Sequence, residues 1–525
     1  MRVLVTDPIA DRGLDRLRSA GHEVTTAYDV TGERLHGAVA DVHGLVVRSG
    51  TRVDERLLSA AEELLVVARA GIGVDNIDVE AATEHGVVVA NAPEGNVRAA
   101  AEHTVAMTFA ATRSIPQAHA RLKGGEWAKG DYLGREVGEA TVGLVGLGRV
   151  GQQVARRLDA LGSDVVAYDP YISEERADQV GAALVDLDAC LERADVLSVH
   201  TPLTDETAGL IDEAELAELA GGYLVNCARG GVVDEAALAA AVEGGTLQGA
   251  AVDVFADEPV PEDNPLLAVE DVVVTPHLGA STAAAQENVA VSAAEAVLAA
   301  FRGEPVVNAL NAPSVDESAF PRIEPYLDVA ETAGRIATQL LDDRIERVEV
   351  AYRGEIAAEK VELVTAAALQ GVFAPSEWQV NAVNAHSVAE SRGVEVTESK
   401  SRQAEDFRSL VTVTVGDGDR SVAVCGTLFA DDDPRIVRVD GYRVDAVPEG
   451  HTLVARNRDV PGVIGFVGTV LGENDINIAG MFNGRETIGG EALTLYALDD
   501  AVPAAVREAL LDDDRVTEVR YITLD

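Results

Sequence analysis

Lysine is almost missing from this chain. Only four of its 42 basic residues are lysines, at 123, 129, 360 and 400, set against 89 acidic residues and a formal net charge of −47 over 525 residues. Such a negative balance argues against nucleic acid and anionic membrane surfaces as partners, because both are bound through clustered basic side chains. The acids are dispersed along helices among Ala and Val, unlike a disordered acidic tail. A surface this self-repelling is tolerable where salt shortens the Debye length to ~3 Å, near 1 M, which suggests a halophilic protein. Cysteine is scarce too. The three residues at 190, 227 and 425 offer no disulfide framework and no metal-ligand spacing, so no metal is expected. No apolar run reaches the ~20 residues of a membrane span, and Met1-Arg2-Val3-Leu4-Val5-Thr6-Asp7 reads as a strand rather than a signal segment. A cytoplasmic, soluble protein of several domains is expected, with 47% hydrophobic residues to fill their cores.

The chain does hold a glycine turn in an informative setting. Gly146-Leu147-Gly148-Arg149-Val150-Gly151 follows the apolar run Thr141–Val145, and Tyr168-Asp169-Pro170 begins 17 residues after Gly151. This order is strand, turn, helix, strand, acid. Gly146 makes the turn, Gly148 lets the backbone approach a pyrophosphate, and Gly151 lets the helix pack on the strand. The N–H groups at the helix start attract the phosphates. Asp169 falls where a carboxylate accepts from the adenosine ribose hydroxyls, with no Arg or Lys close behind to take a 2′-phosphate. NAD is the expected cofactor.

Strand and helix patterns alternate from the first residue, as a parallel sheet requires: Val3–Thr6, Leu45–Val47, Leu65–Ala68 and Val87–Ala90 are short β-branched runs. One long Ala-rich helix is expected over Arg98–Arg121. Further strands are expected at Val196–His200, Tyr223–Cys227, Ala250–Phe255 and Val272–Thr275, then a helix from Thr282 to Arg302 ended by Gly303-Glu304-Pro305. Residues 306–313 read as a linker and 318–446 as a mixed region whose acid run Asp431-Asp432-Asp433 is a solvated turn. The last 75 residues follow a βαββαβ order with a hairpin around Asn483-Gly484.

Three segments end strands with polar groups: Asn226-Cys227-Ala228-Arg229-Gly230-Gly231, Asp253-Val254-Phe255-Ala256-Asp257-Glu258-Pro259 and Thr275-Pro276-His277-Leu278-Gly279. In an open parallel sheet, ligands bind beyond the carboxyl ends of the strands. Arg229, Glu258 and His277 therefore converge beside a nicotinamide. Hydride removal from a secondary alcohol needs a base, which His277 supplies with Glu258 setting its tautomer. It also needs a cation for the carboxylate and the developing carbonyl, which suits the fork of Arg229.

These four segments together resemble the D-2-hydroxyacid dehydrogenases, over residues 1 to about 312. Region 318–446, with Val380-Asn381-Ala382-Val383-Asn384-Ala385 and Val437-Arg438-Val439-Asp440-Gly441-Tyr442-Arg443, resembles the intervening domain of the long-form D-3-phosphoglycerate dehydrogenases, and the last segment resembles an ACT domain. The resemblance implies an α/β fold: a Rossmann-type doubly wound sheet (98–284) inserted in a flavodoxin-like substrate domain (1–97 and 285–312), an α+β intervening domain (318–446) like an allosteric substrate-binding domain, and an ACT regulatory domain (450–525). It implies NAD-dependent oxidation of 3-phospho-D-glycerate to 3-phosphooxypyruvate, the first step of phosphorylated serine synthesis, with His277 as acid/base, Glu258 its partner and Arg229 the substrate clamp. By the same resemblance Arg48, the loop glycines Gly71 and Gly73, and Asn96 contact substrate. Arg149 and Val150 lie on the pyrophosphate, Asp253 on the nicotinamide carboxamide, and Thr201 and Ala228 near the cofactor.

Gly71 and Gly73 also read as a plain strand-to-helix turn, and Lys123 and Lys129 either as local positive charge that assists a phosphorylated substrate or as ordinary solvated lysines. The segment Gly124–Trp127 is where family members reach a neighbouring subunit, implying a homodimer or homotetramer. Asn457, Asp459 and Asn477 occupy positions that bind L-serine in related enzymes, although Asn457 stands where some relatives carry His, and a purely structural dimer contact is the alternative reading. Alternatives are a glyoxylate, hydroxypyruvate or lactate dehydrogenase, a corepressor-like dinucleotide sensor, or an amino-acid sensor with a vestigial dehydrogenase.

Overall fold

The computed structural model describes every residue except 29, 316–317, 342, 376–379, 405, 418–419, 431–432, 448 and 525. The first two residues of the 431–433 acid run thus lie outside the described residues, and Asp433 opens a strand instead of lying in a turn. Among the described residues no helix is long and apolar enough to cross a membrane.

The first sheet holds β1 (Arg2–Val5), β2 (Glu23–Thr26), β3 (Gly44–Val47), β4 (Val66–Arg69) and β5 (Val88–Ala90) in the order β2-β1-β3-β4-β5, all parallel. Strands covered on both faces read as continuous apolar runs, which is why β3 is Gly-Leu-Val-Val with every residue buried. The helix Ala283–Phe301 comes from far along the chain to complete this body. Its Val289, Ala293, Ala294 and Val297 share one core with Val3, Val5 and Val66.

The second sheet is β6 (Thr141–Val145), β7 (Asp164–Tyr168), β8 (Ala182–Leu184), β9 (Val196–Val199), β10 (Tyr223–Asn226), β11 (Gly249–Val252) and β12 (Val272–Val274), ordered β12-β11-β10-β9-β6-β7-β8 and wholly parallel. Strand order reverses between β9 and β6, and a ligand crevice opens at such a point. The long helix expected before this sheet is two helices, Val97–Thr112 and Ile115–Lys123. Ser114 adopts a left-handed φ of 46° and Pro116 follows in the new first turn, so the ladder cannot continue through them. The second helix buries none of its residues.

The third sheet comprises β13 (Arg347–Gly354), β14 (Glu395–Ser401), β15 (Ser409–Gly416), β16 (Ser421–Phe429), β17 (Asp433–Val439) and β18 (Tyr442–Ala446), with helices Pro325–Leu341 and Glu362–Phe373 contributing to its core. The fourth, β20-β21-β19-β22, is antiparallel: β19 (His451–Arg458), β20 (Ile478–Arg485), β21 (Glu491–Leu498) and β22 (Val516–Thr523). With helices Val463–Glu473 and Ala504–Leu511 it follows the βαββαβ order. The hairpin is displaced from its expected place. Asn483 and Gly484 pair within β20, opposite Thr494 and Leu493, and the turn falls at 486–490, where Gly489 takes a φ of 76°. Val454, Leu493, Leu495 and Ile522 of this module pack into the core of the preceding one, so the two are fused rather than strung together.

The expected linker is a strap. Leu310 N–H donates to Val89 O at 2.8 Å, Asn311 Oδ1 accepts from Val89 N–H at 2.8 Å, and Asn311 Nδ2 donates to Val87 O at 2.9 Å. Asn381 Nδ2 reaches the same corner, donating to Gly86 O at 2.8 Å. Side-chain amides thus tie the third body to the edge of the first sheet.

Candidate active site

The glycine turn is built as its spacing requires. Gly146 has φ 98°, and a Cβ there would meet His200 O at 2.8 Å. A Cβ on Gly151 would strike Gly146 O at 2.4 Å, whereas one on Gly148 would meet nothing within 4 Å, leaving that side open for a ligand's close approach. Gly148 starts the helix Arg149–Leu161 without a side-chain cap, so the N–H groups around Arg149 and Val150 face the crevice as an anion site. Asp169 follows β7 beside this turn, its Oδ2 accepting from Leu147 N–H at 2.8 Å and its Oδ1 from Tyr171 N–H at 2.9 Å. Each oxygen keeps lone-pair capacity for a ribose hydroxyl. Thr201 Oγ1 is enclosed without a partner in the same corner, an orphaned hydroxyl of the kind a bound dinucleotide satisfies. The donor set fits NAD.

His277 and Glu258 meet as expected. His277 Nδ1 lies 2.7 Å from Glu258 Oε2, while Glu258 Oε1 accepts from Phe255 N–H at 3.1 Å. Burial alone would raise the Glu258 pKa, but the hydrogen bonds from His277 and Phe255 outweigh it and hold the carboxyl below its ordinary range. The Nδ1–H···carboxylate bond leaves the Nε2 lone pair free to accept a proton. His277 itself takes a left-handed φ of 54°, unusual for a side-chain-bearing residue. Its N–H donates to Asp253 O at 2.9 Å and Thr275 O at 3.0 Å, contacts that hold the strained turn.

Asp253 is turned inward. Its side chain is 0% exposed; Oδ1 accepts from Thr275 Oγ1 at 2.5 Å and Leu278 N–H at 2.7 Å, and Oδ2 from Gly279 N–H at 2.9 Å. Four local donors thus surround these two oxygens, and together they hold the loop that carries His277. The fourth is His103, with Nε2 3.1 Å from Oδ1. Its place in an Ala-rich helix carried no sign of this role. Those donors outweigh the cost of burial and keep the Asp253 carboxyl below its usual range. Cys227 lies beside it, and burial, followed by the charge of Asp253, pushes its thiol pKa up.

Arg229 spans the cleft. Its Nε lies 3.2 Å from Asp75 Oδ2 of the outer body, and its Nη1 donates to Ala228 O at 2.7 Å. Asn226, 3% exposed, braces this loop by donating from Nδ2 to Arg229 O at 2.9 Å. A Cβ on Gly73 would fall 1.9 Å from Arg229 Nη2, so a side chain there would push the guanidinium from its present place. Gly71 likewise faces Arg69 Nη1, 2.4 Å from a built Cβ. Burial first, then the charges of Arg229 and Arg48, draw the Arg69 pKa down to about 10 against the opposing pull of Asp75 and Asp7. Sequence reasoning passed over Arg69, although its place at the end of β4, level with Arg48 after β3, was the available signal. Asn76 aims it, accepting from Arg69 Nε at 3.0 Å while donating to Arg48 O at 2.7 Å. Asn96 precedes the helix that crosses between the two bodies, with Oδ1 enclosed and unpartnered.

The three expected serine contacts are not gathered in one module. Asn457 is 5% exposed, with Oδ1 accepting from Thr494 Oγ1 at 3.2 Å and Nδ2 donating to Arg458 O at 3.0 Å, so it is a core amide. Asp459 Oδ2 takes Arg485 Nη1 at 2.7 Å, and Asn477 Nδ2 donates to Asp499 Oδ2 at 2.7 Å. Asn457 pairs opposite Ala492 and Ile478 opposite Leu498, six residues or roughly 20 Å apart along β21, so Asn477 sits at the other end of the sheet from the Asp459 turn.

Residues 105–279 match the NAD-binding domain of the D-isomer specific 2-hydroxyacid dehydrogenases, and 322–440 the D-3-phosphoglycerate dehydrogenase intervening domain. The D-3-phosphoglycerate dehydrogenase of Archaeoglobus fulgidus is 43% identical over 528 residues, covering 100% of both chains. That of Mycobacterium tuberculosis is 45% identical over 484 residues, or 91% of each. Among solved structures, a D-lactate dehydrogenase from Aquifex aeolicus complexed with NAD and lactic acid superposes with a TM-score of 0.54 at 26% identity, over 60% of this chain and all of that one. The remainder of this chain, strapped to the dehydrogenase body by Asn311 and Asn381, contains the intervening-domain match, and with similarity running from end to end the chain belongs to the D-3-phosphoglycerate dehydrogenase family.

Proposed function

We propose that this protein oxidises 3-phospho-D-glycerate to 3-phosphooxypyruvate with NAD, through His277, Glu258 and Arg229. The observation that carries the mechanism is the 2.7 Å His277–Glu258 pair on the same sheet edge as an Arg229 that reaches across the cleft. Bound NAD supplies a hydride acceptor, the nicotinamide ring, for the hydride leaving the substrate's C2. His277 Nε2 takes the C2 hydroxyl proton, and Glu258, held ionised, stabilises the imidazolium that results. Arg229 exchanges the exposed Asp75 carboxylate for that of the substrate and polarises the new carbonyl. Arg48 and Arg69 flank the same loop and suit a phosphate ester, which a simple 2-hydroxy acid lacks. Asp169 selects NAD, and Thr201, Ala228 and Asn96 line the bound ligands. The domain limits proposed are 1–97 with 285–312, 98–284, 318–446 and 450–525.

We also propose self-association and an L-serine effector. The exposed Ile115, Leu122, Trp127 and Leu133 lie on or near the helix that buries nothing, and suit a second copy of the chain. Asp459 and Asn477 can share one serine only across two modules placed edge to edge. Calorimetry on the oligomer should detect serine binding that is lost in Asp459→Ala; absence of heat at millimolar serine sinks the effector role.

The direct test of the activity is NADH absorbance in concentrated KCl, with 3-phosphoglycerate set against lactate, glycerate and glycolate. Turnover favouring an unphosphorylated acid would overturn the substrate assignment.

A further inference from the structure

We infer that His103, Cys227 and Asp253 form a site for a soft divalent cation, zinc being the best fit, beneath the nicotinamide side of the cleft. The three residues are far apart in the chain. They arrive from the helix Val97–Thr112, the end of β10 and the residue after β11, so no ligand spacing could announce them. The fold brings one ligand atom of each within 4.8 Å of the other two. His103 Nε2 and Asp253 Oδ1 are 3.1 Å apart, close to the roughly 3.3 Å edge of a tetrahedron with metal–ligand bonds of about 2.0 Å. The separations to the Cys227 sulfur, within 4.8 Å, would shorten on binding.

The charges also match. A thiolate, a carboxylate and a neutral imidazole sum to −2, so a Zn²⁺ ion yields a neutral cluster in a largely enclosed place. On binding, the thiol proton leaves to solvent and a Zn–S bond forms. His103 gives up its Nε2–H in favour of the Nδ1 tautomer, with no change in its charge. His103 is 19% exposed and Cys227 half-buried, so an ion can enter from the cleft and water can fill the fourth position.

Occupancy has a functional consequence. Asp253 Oδ1 is the acceptor that fixes Leu278 N–H at 2.7 Å and Thr275 Oγ1 at 2.5 Å, on either side of His277. A metal drawing that oxygen away loosens the turn that aims His277. Zinc therefore acts as an inhibitor. The inhibition rests on the catalytic reading of His277, while the site itself does not.

The test uses the full-length enzyme. Titration with Co²⁺, as a spectroscopic substitute, should give one equivalent per chain with a near-ultraviolet thiolate-to-cobalt absorption band, abolished in Cys227→Ala and weakened in His103→Gln. Zn²⁺ should displace the band, shield Cys227 from alkylation as read by mass spectrometry, and cut NADH formation at least tenfold, reversibly with chelator. Cys227→Ala should retain its basal turnover and lose the zinc sensitivity. A Co²⁺ spectrum without a sulfur band, or unhindered alkylation of Cys227 in the presence of zinc, overturns the site whatever the variants do. A sulfur band without loss of turnover keeps the site and overturns the inhibition.

Discussion

Replacing Glu258 by Gln changes one atom's identity and leaves the volume alone, yet the geometry gives the amide no good orientation. Glu258 now accepts twice, from His277 Nδ1–H at 2.7 Å through Oε2 and from Phe255 N–H at 3.1 Å through Oε1. A glutamine can present its oxygen to only one of them. With oxygen toward Phe255, the NH₂ group donates to His277 Nδ1 and forces the proton onto Nε2, the atom that must accept from substrate. With oxygen toward His277, NH₂ faces the Phe255 N–H, donor against donor, and the imidazolium formed in the reaction loses its anionic partner. Misassigning the tautomer of a base of this kind costs about 10²–10⁴ in kcat, or roughly 3–5 kcal/mol of transition-state stabilisation. Steady-state NADH absorbance should show that loss in kcat, with KM for 3-phosphoglycerate and the fluorescence-detected NADH affinity little changed. If Glu258→Gln kept kcat within about threefold of the parent, Glu258 would not be setting the tautomer and the proposed division of labour would fail.

Asp169→Ala should weaken NAD and narrow its advantage over NADP, because the carboxylate that accepts from the ribose also repels a 2′-phosphate; equal use of both cofactors by the parent enzyme contradicts the assignment. Asp253 and Glu258 both have folded pKa values below their ordinary ones, so their stabilisation is complete above the unfolded carboxylate values, about 4, and is lost as pH falls through the lower folded values. An acid titration should then unfold the cofactor body below about pH 4, and Asp253→Asn should flatten that limb; an identical limb in the variant removes Asp253 from the linkage. With a net charge of −47, the melting temperature should fall as KCl is diluted from molar to millimolar, and a flat profile rules out the halophilic reading.

The local signals were legible in the amino-acid order. Apolar runs marked β6, β9, β10 and β12 to within a residue, and the glycine turn with its trailing Asp169 named the cofactor, because a strand, a turn and a helix start that follow one another are set by local backbone preferences. Segments ending in Arg229, Glu258 and His277 could be placed on one sheet edge, because parallel strands share a direction. What depended on distant partners could not be read. Asp75 and Arg229 are 154 residues apart and meet only when the cleft forms. The four donors around Asp253, one of them on a helix, are gathered only by the fold. Asn457 looked like a ligand until Thr494, on the neighbouring strand, drew its amide into the sheet. The register of β20 on β21 moved the hairpin and set Asn477 at the far end from Asp459. A polar side chain's role depends on which donors and acceptors surround it, and packing chooses those neighbours from across the whole chain, whereas a strand or a glycine turn is set by the few residues on either side of it.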